Sequence, residues 1–153
     1  MRIAVDAMGG DAAPVEIVKG AVAAARFYTD HEIILVGDQD RIQSELSACG
    51  ATLDNISVVH ASQVVGMNES ATVAVRKKAD SSITKGVKLV AEKAADAVVS
   101  AGNTGATVAA SSLFLRTLEH VKRPGIAVSI PTFHGACMVI DAGANIQCKR
   151  SEE

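Results

Sequence analysis

The strongest constraint on this chain is a regular alternation between short β-branched runs and stretches with helical spacing. Ile3-Ala4-Val5 ends at Asp6, Ile33-Ile34-Leu35-Val36 stops at Gly37, Ile56 to His60 forms a third run, and Ala97-Val98-Val99 leads into Ser100. Between them, apolar residues recur with a helical period. Ile17, Val18, Ala21, Val22 and Ala25 draw one stripe along a helix from about Pro14 to Tyr28. Pro14 suits its first turn, where amide groups lack partners anyway. Asp38 can cap a second helix that turns Ile42 and Leu46 inward and that Gly50 can end. A further helix runs from about Ser82 to Lys93 with Ile83, Val87 and Val90 on one face.

After Val99 come a glycine turn and a helix to about Leu118. Ile126 to Ile130 and Cys137 to Ile140 then read as strands of a hairpin across Pro131-Thr132-Phe133-His134-Gly135. Residues 61–80 form a connector with only a weak helical stretch near 72–79, and long connectors in compact domains are more often functional or mobile than idle. The whole pattern predicts one α/β domain over residues 1–153, three-layer α/β/α and Rossmann-like, with a mostly parallel sheet. Its end is unusual. The last strand delivers Asp141-Ala142-Gly143-Ala144-Asn145, and the polar tail Lys149-Arg150-Ser151-Glu152-Glu153 stands where a helix should follow, as though a βα unit were cut through.

Composition narrows the function. Hydrophobic residues reach 48% but aromatics only 3%, so the apolar content is mostly Ala, Val, Ile and Leu, which suits buried parallel strands. A base-stacking surface needs aromatic faces, and a net charge of −2 argues against a general nucleic-acid binder. Cys49, Cys137 and Cys148 are odd in number and lack CxxC spacing, which points to a reducing, cytoplasmic setting rather than a disulfide framework or zinc site. The apolar stretch after Met1-Arg2 is broken at Asp6, too early for a signal peptide, and no apolar run is long enough to span a membrane.

In open α/β sheets, ligands gather at the carboxyl ends of the strands. Three loops fit that description. In Ser100-Ala101-Gly102-Asn103-Thr104-Gly105, Gly102 and Gly105 let backbone approach an anion, Asn103 or Thr104 can cap the next helix or donate a hydrogen bond, and that helix offers unpaired amides. The same residues also make an ordinary capped glycine turn, and they form neither a Walker A motif nor GxGxxG. Asp6-Ala7-Met8-Gly9-Gly10-Asp11 sets two carboxylates around a tight turn. It reads either as ligand or metal placement, or as a turn at Gly9-Gly10 with Asp11 capping a helix. The third loop is Asp141 to Asn145, containing Gly143.

Arg76-Lys77-Lys78, with Lys85 and Lys88 nearby, is either a solvated helix face or a cationic wall for a phosphate or an acidic partner. His31, His60, His120 and His134 show no paired spacing, and neither a catalytic triad nor a metal or cofactor site is legible.

Several segments, in order along the chain, resemble one family. Met-Arg-Ile-Ala-Val-Asp-Ala-Met-Gly-Gly-Asp at 1–11, residues 59–67, Arg76 to Ile83, Val99 to Ala106 and Asp141 to Lys149 are together similar to the bacterial phosphate acyltransferases of phospholipid synthesis. Ala12 stands where that family usually has Asn, and the prolines usual near Ser70-Ala71 and at Arg150 are missing. Family chains are roughly double this length, so the resemblance is to an N-terminal half.

The resemblance implies a fold akin to phosphotransacetylases and isopropylmalate-type dehydrogenases. It implies transfer of a fatty acyl group from acyl–acyl carrier protein to inorganic phosphate, without cofactor or metal. It also implies a homodimeric cytoplasmic protein in peripheral contact with the membrane, where a glycerol-3-phosphate acyltransferase takes the acyl phosphate. On this view phosphate sits against Ser100, Gly102, Asn103, Thr104 and Gly105, with Asp6, Gly9, Gly10, Asp11, Asp141 and Gly143 shaping the site. Lys77 and Lys78 would neutralise charge, and Asn145 would donate to the phosphate or the oxyanion. Two alternatives stay open: a related phosphate acetyltransferase, and a truncated inactive fragment that only binds anions.

Overall fold

The computed structural model describes residues 1–50, 52–121 and 124–140. The chain divides into two compact units, one from Met1 to Leu115 and one that begins at Arg116. In the first, β1 (Arg2–Asp6), α1 (Val15–Phe27), β2 (Glu32–Gly37), α2 (Gln39–Ala48), β3 (Ile56–His60), α3 (Ala71–Lys77), α4 (Ser82–Ala91), β4 (Ala97–Val99) and α5 (Thr104–Phe114) follow one another. The four strands are parallel and lie in the order β3-β2-β1-β4.

Side chains alternate between the sheet's faces, and this sorts the core into layers. Val5, Ile33, Leu35, Ile56 and Val58 meet Val18, Val22 and Ala25 of α1 and Ile42 and Leu46 of α2. Ala4, Ile34 and Val36 point the other way and pack with Leu89 and Val90 of α4. On that second face, Ile83 and Val87 of α4 also join Ala74 and Val75 of α3 and Ala106 and Ala110 of α5. Helices thus cover both faces, the three-layer arrangement that the alternation predicts.

Most helix boundaries have local causes. Asp38 Oδ1 accepts from the Arg41 amide at 3.1 Å and starts α2, while Gly50 takes φ +57° just beyond its end. α1 begins at Val15 with Pro14 in the cap position and no side-chain cap, so Asp11 does not cap it. Two helices stop sooner than their apolar spacing predicts. α4 ends at Ala91 rather than near Lys93, which sits at φ 59°, and α5 ends at Phe114 rather than near Leu118, with Arg116 at φ 65°. Left-handed backbone ends a right-handed helix whichever residue adopts it.

Polar contacts pin the sheet and its connections. The Arg2 amide donates to Asp96 Oδ2 at 2.7 Å, and the Arg2 guanidinium donates to Asp96 Oδ1 and the Lys93 carbonyl, tying β1 to the approach to β4. The Asn55 amide donates to the carbonyls of Ala25 and His31 at 3.0 and 3.1 Å and lies 3.5 Å from that of Tyr28, gathering the α1–β2 turn. Asp80 accepts from Lys85 Nζ at 2.7 Å and from the Ser62 hydroxyl and amide at 2.6 and 2.9 Å.

These contacts give a pH dependence. Lys85, then Ser62, holds Asp80 well below the usual carboxylate range, and the Arg2 amide, then its guanidinium, lowers Asp96. A carboxylate with a depressed folded pKa stabilises the fold above its unfolded value, about 3.9 for Asp, and loses that contribution as pH falls through the folded value. The urea midpoint is therefore expected to hold between pH 7 and 5 and to fall steadily below about pH 4, with a shallower fall in Asp80→Asn. Equal slopes in the two proteins would show that Asp80 contributes nothing to the acid limb.

The second unit contains an antiparallel hairpin, β5 (Ala127–Thr132) with β6 (Gly135–Ile140). The expected turn over Pro131–Gly135 tightens to Phe133-His134, because Pro131 pairs with Ala136 and Thr132 with Gly135, which takes φ +129°. Val128 pairs with Val139 and Ile130 with Cys137 on one face, and Ser129 pairs with Met138 on the other.

Candidate functional site

In a parallel sheet every strand ends at the same edge. The connection leaving β1 runs along one face through α1, whereas β4 is reached along the other face through α3 and α4. The chain therefore diverges between β1 and β4, and the crevice beyond their carboxyl ends is where open α/β sheets place ligands. The loops after these strands are the Asp6–Asp11 and Ser100–Gly105 segments.

The structure presses the two loops together. A Cβ on Gly9 would stand 2.5 Å from Asp6 Oδ2 and 2.8 Å from the Gly102 amide nitrogen. One on Gly102 would stand 3.1 Å from the Gly9 Cα. Gly10 has φ +96°, a conformation that side chains disfavour, with the Ala101 carbonyl 3.1 Å from its missing Cβ. The seam is wired from beneath. Asp6 is fully buried, and its Oδ1 accepts from the Met8 amide at 3.1 Å while Oδ2 accepts from the Ser100 hydroxyl at 2.7 Å. Ser100 Oγ in turn accepts from the Gly102 amide at 3.0 Å. One carboxylate thus sets the position of both loops.

Asn103 belongs to the scaffold more than to a ligand surface. It is buried, and its Oδ1 caps α5 by accepting from the Ala106 amide at 3.0 Å. Its Nδ2 faces the carbonyls of Gly66, Met67 and Glu69, each at 3.1 Å. The connector between β3 and α3 is thereby strapped across the first turn of α5. Gly105 serves the same junction: its missing Cβ would lie 3.0 Å from Ala71 Cβ, so it is a packing glycine between α3 and α5. Thr104 is exposed, and the Thr104 and Gly105 amides have no carbonyl one turn back, leaving first-turn donors at the seam.

The predicted cations separate. Lys77 is exposed at the end of α3. Lys78 is engaged: its Nζ donates to Glu69 Oε1 and, at 2.7 Å, to the Val64 carbonyl. Glu69 Oε1 also accepts from the Gly66 amide at 2.8 Å. Lys85 serves Asp80 and the His60 carbonyl, and Lys88 lies 5.1 Å from the Phe114 ring centre, so neither forms part of a cationic wall. Asp11 is exposed and makes no side-chain hydrogen bond among the described residues, so it stands apart from the Asp6–Ser100 wiring. Asp141, Gly143 and Asn145 lie outside the described residues. Among the described residues, no group of His, Cys, Asp or Glu is placed to hold a metal ion.

Sequence reading missed Glu69 and the strap from Gly66 to Ala71. The only available signal was the length of the connector. A spacing of nine residues between Glu69 and Lys78, with an irregular path between them, carries no helical or strand periodicity.

The chain is similar to known proteins along nearly its whole length. Residues 1–152 match a family model described as "Fatty acid synthesis protein". The chain is 48% identical over 149 residues to a phosphate acyltransferase of Halothermothrix orenii, covering 97% of this chain and 45% of that protein. It is 51% identical over 151 residues to one of Trichlorobacter lovleyi, covering 99% and 44%. It therefore spans about half the length of the curated relatives it matches. In structure it is similar to a phosphotransacetylase from Streptococcus pyogenes, with a TM-score of 0.70 at 20% identity over 99% of this chain and 50% of that one. The EutD phosphotransacetylase from Staphylococcus aureus gives 0.57 at 19% identity over 90% and 44%. These neighbours share the α/β fold. With nearly its whole length matched, the chain belongs to the fatty acid synthesis protein family.

Proposed function

We propose that this chain carries the phosphate side of an acyl-transfer site, moving a fatty acyl group from acyl–acyl carrier protein to inorganic phosphate. The observation that carries the reading is the wired seam: Asp6 holds Ser100, Ser100 holds the Gly102 amide, and the free first-turn amides of Thr104 and Gly105 stand beside it. Fixed amides at a helix N-terminus bind phosphate without reorganising. The similarity to phosphate acyltransferases supplies the reaction.

The chemistry needs no protein nucleophile. A phosphate oxygen attacks the thioester carbonyl, a C–O bond forms, the C–S bond breaks, and the carrier's sulfur leaves as thiolate and is then protonated. The protein's part is to hold phosphate in line and to stabilise the oxyanion. Thr104 and Gly105 hold phosphate, and Ser100, Gly9, Gly10 and Gly102 keep the seam narrow. Lys77, exposed beside Arg76, meets the phosphate or the acidic carrier protein. The remaining partners are a second copy of the chain and a membrane surface bearing the enzyme that takes the acyl phosphate, in the cytoplasm. No helix among the described residues is long and apolar enough to cross a membrane.

The decisive experiment assays acyl phosphate with acyl–acyl carrier protein and acyl–coenzyme A as donors, and measures phosphate binding by calorimetry. Product from the carrier-protein donor supports the proposal. Product only from coenzyme A favours the acetyltransferase alternative, which the phosphotransacetylase neighbours share in fold. Phosphate binding without product leaves an anion-binding half-site. With the carrier-protein donor, Arg76→Glu/Lys77→Glu is expected to raise KM about tenfold at low ionic strength and much less in high salt, because such charges act mainly on encounter. An unchanged KM would remove these residues from carrier recognition.

A further inference from the structure

We propose that Glu69 is a resident competitor for phosphate, its carboxylate occupying the Lys78 ammonium that bound phosphate takes over. The inference rests on the phosphate-binding reading above and adds to it a residue that sets affinity. Glu69 lies on the strap that crosses the first turn of α5: its carbonyl accepts from Asn103 Nδ2 at 3.1 Å, and Ala71, two residues on, abuts Gly105. Its side chain folds back so that Oε1 takes both the Gly66 amide, at 2.8 Å, and the Lys78 ammonium. Lys78 is therefore linked through one residue to the strap on the first turn of α5.

Three features make this pair an exchangeable one. Its two side chains remain 30% and 39% exposed, so neither partner is sealed in the core. The ammonium has three donors, two of them used by Glu69 and the Val64 carbonyl, and its stem is flexible. The competing ligand is alike in chemistry: a phosphate oxygen replaces a carboxylate oxygen, with more charge behind it. Glu69 also stays ionised, since the Lys78 ammonium, then the Gly66 amide, lowers its pKa.

The test titrates inorganic phosphate into the whole chain, by calorimetry and by NMR of backbone amides and lysine ammonium groups. In the wild-type protein, saturation is expected to shift the Lys78 ammonium signal together with the Thr104 and Gly105 amides. Glu69→Gln keeps an acceptor for the Gly66 amide and removes the charge. It is expected to bind phosphate about three- to fivefold more tightly, the ratio that one exposed ion pair supports. In a Lys78→Gln background the same substitution is expected to change affinity by less than that, whereas a general charge effect would persist. Shifts at Thr104 and Gly105 without one at Lys78, or equal affinity in wild type and Glu69→Gln, would overturn this inference and leave the phosphate site standing. Absence of phosphate binding in every variant would overturn both.

Discussion

An Asn103→Ala chain is expected to lose about 2–3 kcal/mol of stability, measured by urea unfolding at neutral pH. Removing a capping side chain costs about 1 kcal/mol. Leaving part-buried carbonyls without a donor adds about 1–2 kcal/mol. Asn103 does both jobs, since its Oδ1 caps α5 and its Nδ2 faces the carbonyls of Gly66, Met67 and Glu69. Asn103→Ser separates them: a serine keeps the cap and cannot reach the strap, so it should recover about 1 kcal/mol. Phosphate affinity should fall in both variants, because the strap and the first turn of α5 lose their shared fastening. A loss below about 0.5 kcal/mol, typical of an ordinary surface change, would mean that the strap is held by something other than Asn103.

Gly9→Ala is expected to be nearly as disruptive to stability and more so to function. The added methyl would sit 2.5 Å from Asp6 Oδ2 and 2.8 Å from the Gly102 nitrogen. The neighbours cannot step aside, since Asp6 is fully buried and held by Ser100 and Met8, and Gly102 is backbone. Overpacking of this kind costs about 1–3 kcal/mol. The seam must open, and a displacement of about 1 Å at a reacting centre can cost on the order of 100-fold in rate. Gly20→Ala is the control: this glycine is exposed on α1, its added methyl would meet nothing within 4 Å, and it should cost less. Equal effects of the two substitutions on acyl phosphate formation and on phosphate binding would refute the seam's role.

The contrast between Asp38 and Asn103 shows what could be read from the sequence. Both are helix caps, and both bond the amide three residues on. Asp38 was legible as a cap because everything it touches is local and because Ile42 and Leu46 follow at helical spacing. Asn103 was legible as a cap or a donor, but its other partners lie 34 to 37 residues away in a connector without periodicity. The loops at the sheet edge were legible as a set, since parallel strands bring their carboxyl ends together. Which glycines face a neighbour rather than a ligand was not: Gly102 and Gly105 read alike in sequence, yet one meets Gly9 and the other Ala71. The early ends of α4 and α5 were hidden for a related reason, because Lys93 and Arg116 take left-handed backbone without the glycine or asparagine that would signal it.

Two asparagines, Asn55 and Asn103, each gather several carbonyls of a distant loop with one side-chain amide. That makes the lifetime of the folded chain a matter of covalent chemistry as well as packing. Asparagine is among the thermolabile residues, and its conversion to aspartate would replace a donor with a carboxylate facing those same carbonyls. The reaction proceeds by attack of the next residue's backbone nitrogen on the side chain, and it is slowed when that residue is stiff and branched. Asn55 is followed by Ile56 and Asn103 by Thr104. The two clasps on which loop placement depends thus carry neighbours that protect them from ageing.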